Sequence, residues 1–253
     1  MESKKKVGSL AIGAHPDDAE IFAISAIAKK DFALVVLSDG AGCCRGNGYE
    51  NLTTKELVEL RKKEQAEAAL AGEYVCCYML GYTSEQVRHN EGEIENELVK
   101  IIDDLKPQTI YVHNPFDSHP THVGAFRRAF NAVKKASFKP EKLYACEVWR
   151  SLDWFVGDIK TALNTDGTDE LSDAVLGKFT SQNVTKGYNV GAKGRRYANA
   201  TFSGSHEKNS AQSFNWALDL TEFIYLSEKE FEDFLRDSLE NFKQKVMKDF
   251  LGE

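Results

Sequence analysis

Two short stretches concentrate the side chains that could do chemistry. The first, His15-Pro16-Asp17-Asp18, puts one imidazole and two carboxylates into four residues. Pro16 fixes its own φ and pushes His15 towards an extended backbone. His15 then points off the end of the segment before it, and Asp18 off the first turn of the segment after it. Both can reach one ion, which leaves Asp17 for another task. An Asp in such a place also serves as a plain helix N-cap. Adjacent carboxylates repel without a cation, and that weighs towards a metal. The second stretch, Tyr111 to Val123, holds His113, His119 and His122, half of the chain's six histidines. His119 and His122 are three apart, so they can share one face of a turn. Together the stretches offer a His, Asp and His set, borderline in softness, suited to zinc and leaving positions for water.

The elements around them say how they could meet. Each stretch follows an apolar run, Leu10 to Gly13 and Thr109 to Val112, and precedes a helical pattern. A strand that turns into a helix leaves its loop at the carboxyl end of a sheet, where open α/β folds bind ligands. Further strands are expected at Phe32–Leu37, Tyr74–Leu80 and Leu143–Trp149. Helices are expected from Ile21, after the capping box Thr53-Thr54-Lys55-Glu56, over Glu93–Leu105 and from Val123 to Ala136. This alternation predicts an α/β fold: a Rossmann-like three-layer sandwich with a mostly parallel sheet. Arg127, Arg128, Lys134 and Lys135 are read as the outer face of the last of these helices, and Arg61 and Glu64 as candidates for a solvated one. After Arg150 the pattern loosens. A helix is expected within Asp169–Thr180, a long loop over the glycine-rich Gly187–Ser205, and a long amphipathic helix after the capping box Ser227-Glu228-Lys229-Glu230. The expectation is one domain: an α/β core over residues 1–150 and an extension over 151–253 that walls the pocket and ends in that helix.

The first stretch, read as Ala14-His15-Pro16-Asp17-Asp18, resembles the signature of the PIG-L / LmbE-like N-acetylglucosaminyl deacetylases. His119-Pro120-Thr121-His122 resembles the same family's later His-x-x-His segment, in matching order. The likeness covers roughly the first 150 residues. It implies that His15, Asp18 and His122 bind zinc, or another divalent transition metal, and that Asp17 is the general base. It also implies that His119 assists the oxyanion or the leaving amine, and that Arg61 contacts substrate. The activity implied is hydrolysis of an N-acetyl group from an N-acetylglucosamine-type conjugate. Rival readings are a hydrolase of another amide or ester, and a zinc-containing binding protein without turnover. Many members carry Asp where this chain has Thr121.

Composition narrows the partners. The net charge of −7 makes a nucleic-acid backbone a poor one, and no apolar run approaches the ~20 residues that span a bilayer. The lysine-rich lead Met1–Lys6 runs straight into the first strand without the form of a signal peptide, so a cytoplasmic location is expected. The five cysteines include the adjacent pairs Cys43-Cys44 and Cys76-Cys77, which suit reduced thiols. No Gly-x-Gly-x-x-Gly and no phosphate-loop lysine motif is present, so no nucleotide cofactor is expected. The partner expected is a small amino sugar, with no nucleic acid and no membrane. The aromatic-rich C-terminal part, with the family likeness, leads us to expect a homo-oligomer, a trimer or hexamer.

Overall fold

The structure, a computed structural model, describes residues 6–89, 92–206, 208 and 210–252; the lead Met1–Lys5 lies outside them. The chain forms β1 (Ser9–Gly13), α1 (Asp18–Phe22), α2 (Ile24–Ile27), β2 (Phe32–Ser38), α3 (Thr54–Ala71), β3 (Cys76–Tyr82), α4 (Ser84–His89) and α5 (Gly92–Leu105). It continues through β4 (Thr109–His113), α6 (Pro120–Lys135), β5 (Lys142–Cys146), β6 (Lys160–Asn164), α7 (Asp169–Leu176), α8 (Thr180–Lys186), α9 (Tyr188–Phe202), β7 (Phe214–Asp219) and α10 (Glu228–Leu251).

One seven-stranded sheet has the order β3-β2-β1-β4-β5-β7-β6. The five strands from β3 to β5 are parallel, and β7 runs antiparallel to both its neighbours. Every residue of β1 and β2 is buried, as continuous apolar runs in a parallel sheet covered on both faces require. One face packs Val87, Ile94, Leu98, Phe126 and Phe231 from α4, α5, α6 and α10. The other packs Phe22, Ile24, Ala68, Val175 and Ala192 from α1, α2, α3, α7 and α9. This is the α/β sandwich expected.

Chain order reverses between β1 and β4, which pair directly, with Ser9 opposite Thr109 and Ile12 opposite Val112. Both histidine-bearing loops therefore leave adjacent parallel strands at the same edge, the topological switch point where such sheets open a crevice.

Three expectations need correction. Gly187–Ser205 is not a loop: α9 occupies most of it. Tertiary contacts outweigh its glycines, because Ala192 and Ala200 are buried, Arg196 donates to Ser172 Oγ and Asn199 donates to the Phe214 carbonyl. Strands β6 and β7 replace what read as irregular chain, and they draw Phe214, Ala217 and Leu218 into the core. Arg128 does not face solvent: it is fully buried and paired with Glu95 at 3.2 Å.

Candidate active site

The β1 loop begins with His15 and turns on Asp17, whose backbone is left-handed at φ 91°. A non-glycine residue held there carries backbone strain. The conformation is braced by the Asp17 N–H, which donates to Gln65 Oε1 at 3.3 Å. Asp18 opens α1, and its Oδ2 accepts from the His15 N–H at 2.7 Å. From the neighbouring strand, His119 is the N-cap of α6, Pro120 occupies the first turn, and His122 lies within that turn. The helix begins earlier than its apolar pattern suggested, since Pro at the first position is already set for a helix.

These loops bring two imidazole nitrogens and the two oxygens of one carboxylate together. His15 Nδ1 lies 3.3 Å from Asp18 Oδ2, His122 Nε2 lies 3.3 Å from Asp18 Oδ1, and the two imidazole nitrogens are 3.3 Å apart. Atoms each about 2.0–2.1 Å from a tetrahedral zinc stand about 3.3–3.4 Å from one another. Two imidazoles and one carboxylate of this spacing therefore fit a zinc-class ion, and two nitrogens this close would otherwise compete for one proton. A second set among the described residues, His113, Asp117 and His122, is fully buried and shares His122.

Charges around this point are tuned by burial and by each other. Burial opposes the Asp18 charge, yet His122 and His113 hold its carboxyl well below the usual range. Burial also opposes a charge on His122, but Asp18 and Asp117 raise it to about 9. Asp117 Oδ2 stands 3.4 Å from His122 Nδ1, the arrangement by which a carboxylate orients a ligand histidine. Burial, with His122 and His15 close by, lowers His119 to about 4. Asp117 also accepts the His119 backbone N–H at 2.9 Å and the Trp149 N–H at 3.2 Å.

Asp17 stands beside the ligand set. Burial pushes its carboxyl up to about 6; Arg61 pulls it down and Asp18 pushes it up. Arg61 donates to Asp17 Oδ2 at 2.8 Å, to the Pro16 carbonyl, and to Glu64 Oε2 at 3.0 Å. Glu64 in turn accepts from the Ser181 N–H and hydroxyl and from Thr180 Oγ1. Arg61 and Glu64 are thus a buried network tying α3 to the start of α8, not a solvated helix face. Arg61 reaches the cavity wall with its guanidinium already engaged.

A cavity of about 530 Å³ opens above these groups. It is lined by His15, Asp17, Asp18, Arg61 and His119, and beyond them by Arg88, Trp149, Gln182, Lys186, Tyr188 and Arg195. The Trp149 ring lies parallel to that of His119 and edge-on to Tyr188. Sequence reasoning missed His113, which ends β4. Its Nε2 accepts the Ala14 N–H at 3.0 Å, lies 3.2 Å from Asp18, and its ring stacks on His122 with centroids 4.0 Å apart. Its place at the end of a buried strand was the available signal. Arg88 was missed as well, on a short helix with little apolar pattern. His206 is exposed and is not among the residues lining the cavity.

Residues 10–133 match the sequence profile of the PIG-L family, described as GlcNAc-PI de-N-acetylase. No curated protein sequence matches the chain. Among solved structures, a conserved protein of Thermus thermophilus is similar at a TM-score of 0.63 and 19% identity, covering 84% of this chain and 94% of that one. The 4-carboxy-2-hydroxymuconate hydratase GalB of Pseudomonas putida reaches 0.64 at 17% identity, over 85% and 96%. The N,N'-diacetylchitobiose deacetylase of Pyrococcus horikoshii, in complex with an inhibitor, reaches 0.62 at 17% identity, over 89% and 86%. Identities this low carry the fold alone, and the fold is shared here by a hydratase and a deacetylase.

Proposed function

Because this chain belongs to the PIG-L / LmbE-like family, we propose that it is a zinc-dependent N-deacetylase acting on an N-acetylglucosamine-type conjugate. The observation that carries the reading is the ligand triangle of His15, Asp18 and His122 with Asp17 beside it in an open cavity. Those three residues would hold the ion, which when bound supplies Lewis acidity and lowers the pKa of a water to about 7. Asp17 takes a proton from the water that attacks the amide carbon. A carboxyl poised near 6 can both accept that proton and return it to the nitrogen as the C–N bond breaks, releasing acetate and a free amine. His119 is neutral at physiological pH, since its environment lowers it to about 4. Its role is therefore to donate a hydrogen bond to the developing oxyanion, not to supply the amine's proton. Trp149 and Tyr188 offer aromatic faces to the sugar. Among the described residues no helix is long and apolar enough to cross a membrane, which suits a small-molecule substrate met in the cytoplasm.

The test is acetate release from a panel of N-acetylglucosamine conjugates, with N-acetyl amino acids and acetate esters as comparators. Release from the sugars alone, abolished by a chelator and restored by zinc, is the expected result. Faster turnover of the comparators, or no release from any sugar, would overturn the reading.

A further inference from the structure

Helix α3 holds Asp17 at two points, one helical turn apart. Arg61 grips its carboxylate and the Pro16 carbonyl, and Gln65, four residues on, accepts its backbone N–H. The second grip reaches deeper into the protein. Gln65 is fully buried, and its Nε2 donates to Glu20 Oε1 at 2.7 Å. The same oxygen accepts from the Tyr74 hydroxyl at 2.8 Å. Glu20, on α1, is fully buried as well, and none of the three lines the cavity. Polar groups out of water destabilise unless they are hydrogen-bonded, and these are placed where they cannot touch substrate.

What they can do is fix one amide. The two sides of a glutamine end are alike in shape and opposite in chemistry. Turned over, Gln65 would set its N–H groups against the Asp17 N–H, donor to donor. Glu20 prevents this, because its Oε1 takes up the NH2 group and leaves the carbonyl for Asp17. Tyr74 and Gln65 both meet Oε1, so the carboxyl holds them with or without a proton on Oε2, which has no partner. Tyr74 is itself set in place. Its ring lies edge-on to Phe32 with centroids 4.8 Å apart, and it fills the room left by Gly72, where a Cβ would stand 2.3 Å from Tyr74 Cε1. Asp17 needs the hold, since its left-handed backbone at φ 91° is strained and persists only where its surroundings fix it. Asp18 has contacts of its own: its Oδ2 accepts the His15 N–H and faces His113.

We propose that Gln65 is a positioning residue for Asp17, its amide locked by Glu20 and Tyr74, so that a hydrogen-bond chain from behind the site sets the angle of the base to the ligand residues. This rests on the deacetylase reading for the task of Asp17, but not for the lock.

The lock is read without turnover by hydrogen exchange at the Asp17 amide. Exchange should be slow in the parent and faster by about tenfold or more in Gln65→Met, the weight of one hydrogen bond. The kinetic readout is kcat against KM on an N-acetylglucosamine conjugate that the parent deacetylates. Gln65→Met and Glu20→Met should lower kcat by about tenfold or more while KM and bound zinc stay as in the parent, because orientation of the base is lost and binding is not. Glu20→Gln should keep most of the parent's kcat, since it retains Oε1 and replaces only the oxygen without a partner. A freely exchanging Asp17 amide in the parent, a Gln65→Met loss that falls on KM or zinc content, or a Glu20→Gln as impaired as Glu20→Met would each overturn the proposal. If a methionine variant does not fold, the parent's exchange and Glu20→Gln carry the test, and a loss beyond about tenfold in Glu20→Gln overturns it. Absence of turnover on every conjugate would defeat the deacetylase reading alone. The exchange rates then still decide the lock, and equal rates in the parent and Gln65→Met would overturn it.

Discussion

Arg61→Met removes one charge from a buried network while keeping much of the side-chain volume. The side chains of Arg61, Asp17 and Glu64 are 1%, 7% and 4% exposed, so water cannot replace the lost partner. Breaking a buried pair by deleting one side costs about 3–5 kcal/mol. Glu64 retains three donors from Thr180 and Ser181, so the loss falls mainly on Asp17. Asp17 can limit it by taking up a proton, since burial already holds it near 6; the lower end, about 3 kcal/mol, is therefore expected. With about 2.1 cal/mol/K of unfolding entropy per residue, that is about 6 °C in Tm for a chain of 253 residues. The same change acts on catalysis. A neighbouring guanidinium lowers a carboxylate by about 1–3 units, so its removal should move the acid limb of the kcat profile up by about that much. At pH 7 turnover should fall between about twofold and a hundredfold and recover as pH rises, because the base is lost to protonation and not to misplacement. Differential scanning calorimetry and a pH–rate profile read the two effects, with Arg61→Lys as the variant that keeps the charge. A Tm within about 2 °C of the parent would refute the burial argument. An unmoved acid limb would refute the tuning of Asp17.

Asp17→Asn should keep the fold, since Asn tolerates the left-handed backbone at this position. It should retain bound zinc and lower turnover by at least about 10², the usual weight of a general base; metal analysis and amine release on one sample decide this. Removing the metal with a chelator should abolish turnover and leave the far-ultraviolet dichroism unchanged, because the ligand loops are held by buried strands; unfolding on chelation would make the ion structural. Gly124→Ala should destabilise by about 1–3 kcal/mol, because its Cβ would press on the backbone of α4. A chemical melt should show that loss, and a midpoint equal to the parent's would refute the close packing of α4 on α6.

How far the sequence was legible follows from where each residue draws its constraint. The sheet was legible because β1, β2 and β4 are buried on both faces and so read as unbroken apolar runs. Strands β6 and β7 were not, because Lys160 to Asn164 and Phe214 to Asp219 take their pairing from each other across the long stretch of chain between them. Helix α9 was hidden for the opposite reason. Its glycines argue for a loop, while the contacts that hold it helical, Arg196 on Ser172 and Asn199 on the Phe214 carbonyl, lie on other elements. Local propensity loses wherever a segment's stabilisation is mostly tertiary.

The site divides in the same way. His15, Asp18, His119 and His122 could be read because each sits in the loop or first helical turn that follows a strand, and a run of apolar residues marks that strand. Arg61 and Glu64 could not, since on a helix an (i, i+3) pair of opposite charges is usually a solvated one. Only the left-handed turn at Asp17 and the start of α8, brought against α3 by the fold, turn that pair into a buried brace for Asp17. Arg88 is the extreme case. Nothing in its neighbourhood marks it, and its place depends on a glycine 36 positions away and on the oxygen of Thr121. Thr121 stood out in the sequence as a departure from the family signature, at a place where an Asp would help to orient a histidine. In the structure Thr121 is buried and accepts a hydrogen bond from Arg88, while Asp117, 3.4 Å from His122 Nδ1, stands where a carboxylate can orient that histidine.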